Sequence, residues 1–460
     1  MASVNASRAI AEHVSSVRFE DLPAEAVEAA KKSILDSVGV ILAASTLGEG
    51  CRPFVELALE AGGKKESTIM GFAAKAPSFM AAFANGSMAH ALDYEDTHDV
   101  ALVHPSAATV PAALAVAEAV GGVSGKALLA AVAVGNDLVC RLGLAARVDS
   151  REYGWYMPPI LGAFGAGAAA AYLLGLSADK VLAALSLILC QATCSAELVH
   201  SPNSDVRAVR DAFSAKAGVL AALLADRGVR GFERPIDGEA GLFASFFRGQ
   251  YDCEVLLEGL GQVFEGAKVS FKPWPSCRGT HGYIQAMLEL REEYGLSPQD
   301  VEEIKLTVSP LNRVLCEPLE AKQRPTNAIG AKFSLPFTVG TALVHGRVGL
   351  EHFSFAALAD EEVLAVAAKV SFQVDHSLGV GESTRGFLEV RAKGQRFLKE
   401  IERPYGHPER PMKLSDVAAK FKACAKYALE PVSPAAASEF AESVLDLEKV
   451  EDVRTVMNLL

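Results

Sequence analysis

The chain has 460 residues, of which 50% are hydrophobic and 22% are charged, and its formal net charge is −12. This composition is typical of a globular protein, and at roughly 150 residues per domain the length predicts two or three domains. The negative charge argues against nucleic-acid binding, which needs a basic surface, but it is compatible with a small anion held by a local cluster of cations.

The first part of the chain, from residue 7 to about 230, carries the apolar spacing of helices. Residues 24–45 place apolar side chains at spacings of three, four and seven, which predicts one long helix. Further helices are predicted at 78–92, 106–121, 125–147, 159–175, 178–195 and 209–227. Many of them are rich in alanine and glycine, and small residues allow helix axes to approach closely. We therefore expect a tightly packed helical domain.

The pattern changes near residue 268, where short alternating segments lie between helices. Strands are predicted at 268–271, 303–308, 370–374, 386–391 and 396–401, with helices at 327–346 and 361–368. Three short helices follow at 413–429, 433–446 and 448–459. The sequence therefore predicts a mainly α protein, with a large all-helical domain (residues 1–267 plus 406–460) and a smaller α+β lid domain (residues 268–405).

The termini and the cysteines indicate the compartment. The N-terminus starts polar and shows no signal peptide, and the most apolar stretch, 161–175, is about 15 residues long, whereas a membrane span needs about 20. The eight cysteines are scattered and form no Cys-x-x-Cys pair, as expected for reduced thiols. We expect a cytoplasmic protein that binds neither membrane nor nucleic acid.

One segment formally matches a cofactor fingerprint. Gly165-Ala166-Gly167-Ala168-Ala169-Ala170 fits Gly-x-Gly-x-x-Ala, but a dinucleotide site needs a preceding strand, and here the motif continues an alanine-rich helix. Close helix packing explains these glycines better. The sequence contains no Walker-type loop and no His-Glu-x-x-His pair, so no cofactor is predicted.

Residues 90–106 form an unusually polar segment between apolar helices. Eight polar or charged side chains fall within fifteen positions: His90, Asp93, Glu95, Asp96, Thr97, His98, Asp99 and His104. Polar groups at that density are costly to bury without partners. Pro105-Ser106 is a helix start, and a helix N-terminus suits an anion. Taken alone, the segment fits a functional site and a solvated acidic loop equally well. It offers no clear metal-ligand geometry, and we predict no metal.

A second group of cations lies in Lys272-Pro273-Trp274-Pro275-Ser276-Cys277-Arg278-Gly279-Thr280-His281. The two prolines fix the backbone, so Lys272 is expected to be held in place. Arg278 and His281 add positive charge. The alternative interpretation is an interdomain linker with exposed cations.

A third group is Arg207 and Arg210, which stand three residues apart before an apolar helix. At this spacing two guanidinium groups can share one helix face, and such groups bind carboxylates with two parallel hydrogen bonds. The alternative is a solvated helix start.

Three ordered segments together resemble the MmgE/PrpD family. They are Asn85-Gly86 through Ala89-His90-Ala91-Leu92-Asp93-Tyr94-Glu95-Asp96-Thr97-His98 with His104-Pro105-Ser106, then Lys272 to Cys277 with His281, and Ala331 to Phe337 followed by Gly346-x-Val348-x-Leu350. The resemblance implies a helical domain built from both chain ends, an α+β lid, a homodimer and a site between the lobes. It also implies no nicotinamide, no iron–sulfur cluster and no obligatory metal. By position, Asp93, Thr97, His104 and Lys272 correspond to the family's active-site residues.

Some positions depart from the family pattern. Tyr156 stands where the family usually has a histidine after Gly-Trp, Arg207 and Arg210 replace a lysine and a histidine, and Phe337 replaces a tyrosine. These differences remove proton donors and add a carboxylate clamp, and Tyr156 is a candidate to replace the missing histidine.

The resemblance implies a cofactor-independent lyase, a hydro-lyase or carboxy-lyase that acts on a small di- or tricarboxylate by proton transfer at a carbon next to a carboxylate. The alternatives are an epimerase or isomerase of a small dicarboxylate and a catalytically silent carboxylate-binding protein. A general base must exchange protons near the working pH, which points to His104. The expected catalytic residues are His104, Lys272, Asp93 and Tyr156, and the expected substrate-binding residues are Thr97, Arg207, Arg210, Cys277 and His281. Asp93 and Thr97 are expected to orient His104 or the substrate.

Overall fold

The structure is a computed structural model that describes residues 5–201 and 204–460. The expected absence of a signal peptide rests in part on residues 1–4, which lie outside the described residues. The chain divides into two compact units. The helical unit comprises the residues up to Ala91, Glu95–Val269 and Lys413–Leu460, and the mixed unit comprises Leu92–Tyr94 and Ser270–Met412.

Helices make up most of the helical unit, and the prediction of a mainly α fold is confirmed. In chain order they are α1 (Ala6–Ser16), α2 (Ala24–Leu47), α3 (Arg52–Glu60), α4 (Ser78–Ala89), α5 (Pro105–Val120), α6 (Gly125–Ala145), α7 (Met157–Leu173), α8 (Ala178–Leu189), α9 (Val206–Val209), α10 (Asp211–Asp226), α11 (Leu242–Phe247) and α12 (Cys253–Leu257). An antiparallel hairpin, β1 (Ser67–Ile69) and β2 (Ala74–Ala76), interrupts them, so the unit is not entirely helical as predicted.

The glycines of the apparent cofactor motif lie inside α7 and serve helix packing. A Cβ on Gly165 would lie 2.3 Å from Val139 Cγ2, and one on Gly167 would lie 2.2 Å from Ile188 Cδ1. Both distances are far inside van der Waals contact, so only glycine allows α6 and α8 to approach α7 this closely. The prediction that this motif is a packing motif is confirmed.

One α-helix among the described residues, α6, is long and apolar enough to cross a membrane. Of its most apolar 18-residue window, 83% is buried inside the protein. A helix that is apolar all round and buried in this way is also what the core of a large helical domain requires.

The mixed unit contains a four-stranded sheet and five α-helices among its described residues. They are α13 (His281–Tyr294), β3 (Val301–Val308), α14 (Leu319–Gln323), α15 (Ala328–Lys332), α16 (Leu335–His345), α17 (Glu361–Ala367), β4 (Val370–Val374), β5 (Gly386–Ala392) and β6 (Gln395–Ile401). The strand order is β4-β3-β5-β6, with β3 and β4 parallel and the other pairs antiparallel. Helix α13 packs against β5 and β6 and against α16.

Two sequence predictions in this unit are wrong. Residues 268–271 do not form a strand; a 3-10 turn, Glu265–Lys268, precedes an extended segment. The helix predicted at 327–346 is broken between α15 and α16, because Ser334 leaves the helical conformation and its side chain accepts a hydrogen bond from Phe337 N as the cap of α16.

The last part of the chain returns to the helical unit as α18 (Leu414–Ala425), α19 (Pro434–Leu445) and α20 (Arg454–Met457). Helix α18 packs along α2, where Lys420 Nζ lies 2.6 Å from Asp36 Oδ1 in a buried ion pair. Both ends of the chain therefore contribute to one core, since α2 comes from the first part of the sequence.

Candidate active site

The polar segment before α5 is a buried loop. Helix α4 ends at Ala89, and the loop is closed by a bridge between His98 and Val103. Its buried polar side chains are His90, Asp93, Glu95, Asp96, Thr97 and His98. The solvated-loop alternative is therefore wrong for these residues. Asp93 and Thr97 do not share a helical face, because the helix has ended and Asp93 has a φ of 50°.

Two imidazoles share one buried carboxylate in this loop. His90 Nδ1 and His104 Nδ1 both contact Glu95 Oε1, the second at 2.9 Å, and the two rings lie 4.9 Å apart. Glu95 and His90 are buried, whereas the His104 side chain is 17% exposed. His104 is thus the member of the cluster that a solute can reach.

The contacts of His104 define which ring nitrogen carries the hydrogen. His104 Nδ1 lies 3.1 Å from the backbone carbonyl oxygen of Asp96, and a carbonyl oxygen can only accept a hydrogen bond. Glu95 Oε1, on the same ring nitrogen, is also an acceptor. Nδ1 is therefore the donor, and in the neutral ring Nε2 holds the lone pair.

Burial changes the protonation of the groups around His104. Desolvation, aided by the positive charge of Arg210, lowers the pKa of His90, although Glu95 opposes the shift. Desolvation also raises the pKa of Asp96 to about 7, against the hydrogen bonds that Ser106 donates to its carboxylate. His90 is therefore held neutral near neutral pH.

A buried arginine connects Tyr156 with this cluster. The Arg210 guanidinium carbon lies 5.1 Å from the centre of the Tyr156 ring, a cation–π geometry, and Nη1 donates to Arg207 O at 2.5 Å. Nε lies 3.6 Å from Asp211 Oδ2. Nε and Nη2 have no hydrogen-bond partner among the residues that the structure describes. Two predicted site residues, Tyr156 and Arg210, thus lie together, whereas Arg207 contributes its carbonyl to the pair.

In the mixed unit, Lys272 is paired with Asp93. Lys272 Nζ lies 2.5 Å from Asp93 Oδ1 and 3.0 Å from Asp93 O, and both side chains are buried. The neighbouring Tyr94 hydroxyl donates to Pro273 O at 3.1 Å. Two expected catalytic residues therefore form one ion pair, a pairing that the sequence did not predict.

The same unit buries Arg278 and His281, so the exposed-linker alternative is wrong for them. Arg278 Nη1 lies 3.3 Å from His281 Nδ1, and His281 Nε2 lies 3.2 Å from Ser276 O. Because arginine only donates, Nδ1 accepts and Nε2 donates, which makes this imidazole neutral. His281 thus holds the turn that follows Lys272. Cys277, predicted to bind substrate, is partly exposed, and its amide donates to Lys332 O at 3.0 Å.

Two further residues have local partners. Thr97 Oγ1 donates to Val103 O at 3.2 Å, which closes the loop. Phe337 is buried in the apolar core of the mixed unit, 6.2 Å from Phe353 between ring centres. Phe337, which stands where the family has a tyrosine, is therefore an apolar side chain in an apolar core. His104 is held by Glu95 and Asp96 O, and the expectation that Asp93 and Thr97 orient His104 or the substrate stays a prediction.

Within the described residues, three side chains come close enough together to be considered for a metal. The ligand atoms of His90, Glu95 and His104 lie within 4.8 Å of one another. Both Nδ1 atoms, however, face the same Glu95 oxygen as hydrogen-bond partners. The contacts are those of a carboxylate that orients two imidazoles.

The sequence predicted that His104 is catalytic, but it did not indicate roles for the partners of His104, which are His90, Glu95 and Asp96. The available signal was the cost of burying so many polar groups in one segment. That signal marks the segment, but it does not say which carboxylate meets which ring.

The chain is a two-unit, mainly α protein that buries a carboxylate shared by two imidazoles. Residues 8–254 match the MmgE/PrpD N-terminal domain and residues 274–447 match the MmgE/PrpD C-terminal domain. The chain belongs to the MmgE/PrpD family.

Three relatives are described as cis-aconitate decarboxylases or as a protein like them. The chain is 28% identical over 393 residues to a cis-aconitate decarboxylase-like protein of Aspergillus oryzae, with 80% of this chain and 79% of that protein covered. It is 28% identical over 397 residues to the cis-aconitate decarboxylase of Homo sapiens, covering 84% and 79%. With the cis-aconitate decarboxylase of Aspergillus terreus it shares 23% over 467 residues, covering 97% and 94%.

Proposed function

We propose that this protein is a lyase that acts on a small di- or tricarboxylate by proton transfer at a carbon next to a carboxylate. Membership of the family, relatives named as cis-aconitate decarboxylases and the buried acid–base cluster support the proposal. The reaction class is decarboxylation or dehydration, and the relatives favour decarboxylation.

Both reactions need one group that exchanges a proton with carbon. In decarboxylation, the bond between carbon and a carboxylate breaks, carbon dioxide leaves, and the electron pair left on carbon takes a proton. In dehydration, a base takes the proton from carbon, and the electron pair forms a double bond as hydroxide leaves the neighbouring carbon. In each case nearby positive charge stabilises the electron pair as it develops.

The observation that carries the proposal is the hydrogen bonding of His104. Because Nδ1 donates to Asp96 O and Glu95, Nε2 is the ring atom that meets substrate. Protonated His104 would supply the proton in decarboxylation, and neutral His104 would remove it in dehydration. Buried Glu95 would stabilise the imidazolium form, as the orienting carboxylate does in other histidine-based sites.

The cations are assigned to the carboxylates of the substrate. We propose that Lys272, held by Asp93, binds the carboxylate next to the reacting carbon, and that Arg210 and Arg207 bind a second one. The burial of Arg210, with Nε and Nη2 unpaired among the described residues, supports this assignment. Tyr156, beside Arg210, is proposed as the proton donor that replaces the family's histidine.

One experiment tests the reaction class. The purified protein is incubated with citrate-like, aconitate-like and iminodiacid compounds in deuterated water, with a chelator present, and followed by NMR. Decarboxylation yields a product that has lost carbon dioxide and carries deuterium at the new C–H bond, whereas dehydration yields an alkene and water.

The matched controls come from the same loop. His104→Gln should abolish product formation. His98→Gln removes another buried imidazole of this loop, whose Nδ1 accepts a hydrogen bond from Ala101 N, and this variant should still form product. Exchange of a substrate hydrogen for deuterium without net conversion would identify an epimerase instead. Thermal stabilisation by small diacids without turnover would identify a silent binding protein, and either result would contradict the lyase.

A further inference from the structure

Asp96 contacts the start of α5 through its side chain and His104 through its backbone. Its carboxylate accepts from Ser106 N at 3.2 Å and from the Ser106 hydroxyl, and its carbonyl oxygen accepts from His104 Nδ1 at 3.1 Å. Asp96 is fully buried. One residue therefore holds the helix end and the imidazole that precedes it.

Helix α5 lacks a cap of its own. His104 occupies the N-cap position, and its side chain makes no capping hydrogen bond. Pro105 has no N–H, so the amide of Ser106 is the first backbone donor of this helix that requires an acceptor. The Asp96 carboxyl group supplies that acceptor from eight residues before His104.

The carboxylate is itself held from other helices. Ser33 on α2 donates to Asp96 Oδ2 at 3.2 Å. Asn136 Nδ2 on α6 donates to the hydroxyls of Ser33, at 3.2 Å, and Ser106, at 3.0 Å. All four side chains are buried, so the position of Asp96 is fixed by three helices of the same unit.

We infer that Asp96 is a positioning residue, whose side chain fixes the first turn of α5 and thereby holds His104 with Nδ1 as donor and Nε2 toward substrate. The inference rests on the proposed role of His104 in proton transfer. It assigns Asp96 no contact with substrate. It differs from a purely structural cap because it fixes the tautomer of one ring.

The test measures the tautomer directly. The protein is labelled with ¹⁵N-histidine, its ring nitrogens are observed by NMR, and His104→Gln identifies the signals of His104 among the ten histidines. In Asp96→Ala the His104 signals should change from a single tautomer to a mixture. The kcat on the substrate found above should fall by about 10-fold or more, with KM unchanged, because a displaced base loses rate and not affinity.

Three further variants make the result decisive. Asp96→Asn keeps an acceptor for Ser106 N and should retain the tautomer and most of kcat. Ser33→Ala removes one of the bonds that hold Asp96 but leaves its contacts with α5, so it should shift the tautomer less than Asp96→Ala does. Should Asp96→Ala fail to fold, Ser106→Ala removes the hydroxyl contact but leaves Ser106 N bound to Asp96, so it should shift the tautomer in the same direction by a smaller amount.

A single, unchanged tautomer in folded Asp96→Ala or Ser106→Ala would overturn the inference. A tautomer mixture together with no turnover of any carboxylate by the wild type would leave Asp96 as the positioning residue and refute the proposed lyase instead.

Discussion

The loop of residues 90–104 and the segment of residues 272–281 both bury charged side chains, but they balance the charge differently. In the mixed unit, Lys272 meets Asp93 directly at 2.5 Å, and the two full charges neutralise each other. In the helical unit, Glu95 is shared by His90 and His104, and burial lowers the pKa of His90. A buried ion pair stays ionised because each partner stabilises the charge of the other, whereas an imidazole changes protonation near neutral pH.

The two groups of residues are therefore suited to different chemical roles. The Asp93–Lys272 pair is suited to hold the Lys272 ammonium group at a fixed place. The His104 cluster is suited to move a proton, because the Glu95 carboxylate can stabilise the His104 ring when that ring becomes charged. Removing a member of the first pair should therefore damage both folding and activity, whereas removing His104 should damage activity alone.

The largest effect is expected for Lys272→Met. It leaves the Asp93 carboxylate buried without its cation, which typically costs about 3–5 kcal/mol of unfolding free energy, and turnover should fall at least ~100-fold. Urea denaturation and steady-state kinetics measure the two effects. The double variant Asp93→Asn/Lys272→Met should regain stability without regaining activity. A stable single variant would show that the pair does not behave as a buried ion pair.

For His104→Gln we expect turnover at least ~100-fold lower, with the unfolding free energy changed by less than about 1 kcal/mol. The ring is partly exposed, and Glu95 keeps its contact with His90. If the His104 cluster differs from the Asp93–Lys272 pair in this way, His104→Gln must lower activity without lowering stability. Near-normal turnover in a folded His104→Gln protein would remove His104 from the mechanism.

The carboxylate clamp should act on affinity. Replacing a charged donor that binds a substrate carboxylate costs about 1.5–3 kcal/mol, so Arg207→Ala and Arg210→Met should each raise KM roughly 10- to 100-fold, with a smaller change in kcat. Steady-state kinetics with a dicarboxylate and with its monoamide test this prediction. The monoamide lacks the carboxylate that the arginines bind, so its KM should be similar in the wild type and in both variants. An unchanged KM in both variants would contradict the assignment.

The smallest effect concerns the dependence of stability on pH. The pKa of Asp96 in the folded protein is about 7, above its usual value near 4, because burial and the neighbouring Asp36 and Glu95 disfavour its charge. The folded protein then binds the proton more tightly than the unfolded chain, so the contribution of Asp96 to stability falls as pH rises from about 4 to 7. Asp96→Asn carries no such proton.

Between pH 5 and pH 8, the unfolding free energy of Asp96→Asn should therefore gain about 2 kcal/mol relative to the wild type. Denaturation curves at the two pH values give the difference, and any constant loss of hydrogen bonding cancels from it. Thr338→Val removes a buried hydrogen bond to Ser334 O that involves no titrating group, so its offset from the wild type should stay flat. A flat offset for Asp96→Asn would mean that this carboxyl is ionised in the folded protein throughout.

The homodimer and the cytoplasmic location stay predictions. So do the roles given to Cys277 and Thr97 in substrate binding. Thr97 and the Cys277 amide bond backbone carbonyl oxygens, and these contacts give no reason to prefer the two residues over their neighbours.

The sequence by itself determined the mainly α class, most helices to within a few residues, the strands after residue 300 and the segment in which the acid–base cluster lies. It could do so because apolar periodicity and the cost of buried polar groups are local properties of the chain. It missed the hairpin of β1 and β2 and placed a strand at 268–271, where short apolar runs carry little periodic information.

Only the tertiary structure decided which partners the site residues have. Asp93 and Glu95 are separated by one residue, yet one pairs with Lys272 and the other with two histidines. The left-handed backbone at Asp93 and the end of α4 before it direct neighbouring side chains to different partners, and neither is visible in residue spacing. The family resemblance and the chemistry of imidazole pointed to His104, but its tautomer depends on a carbonyl oxygen that only the folded loop brings to its ring.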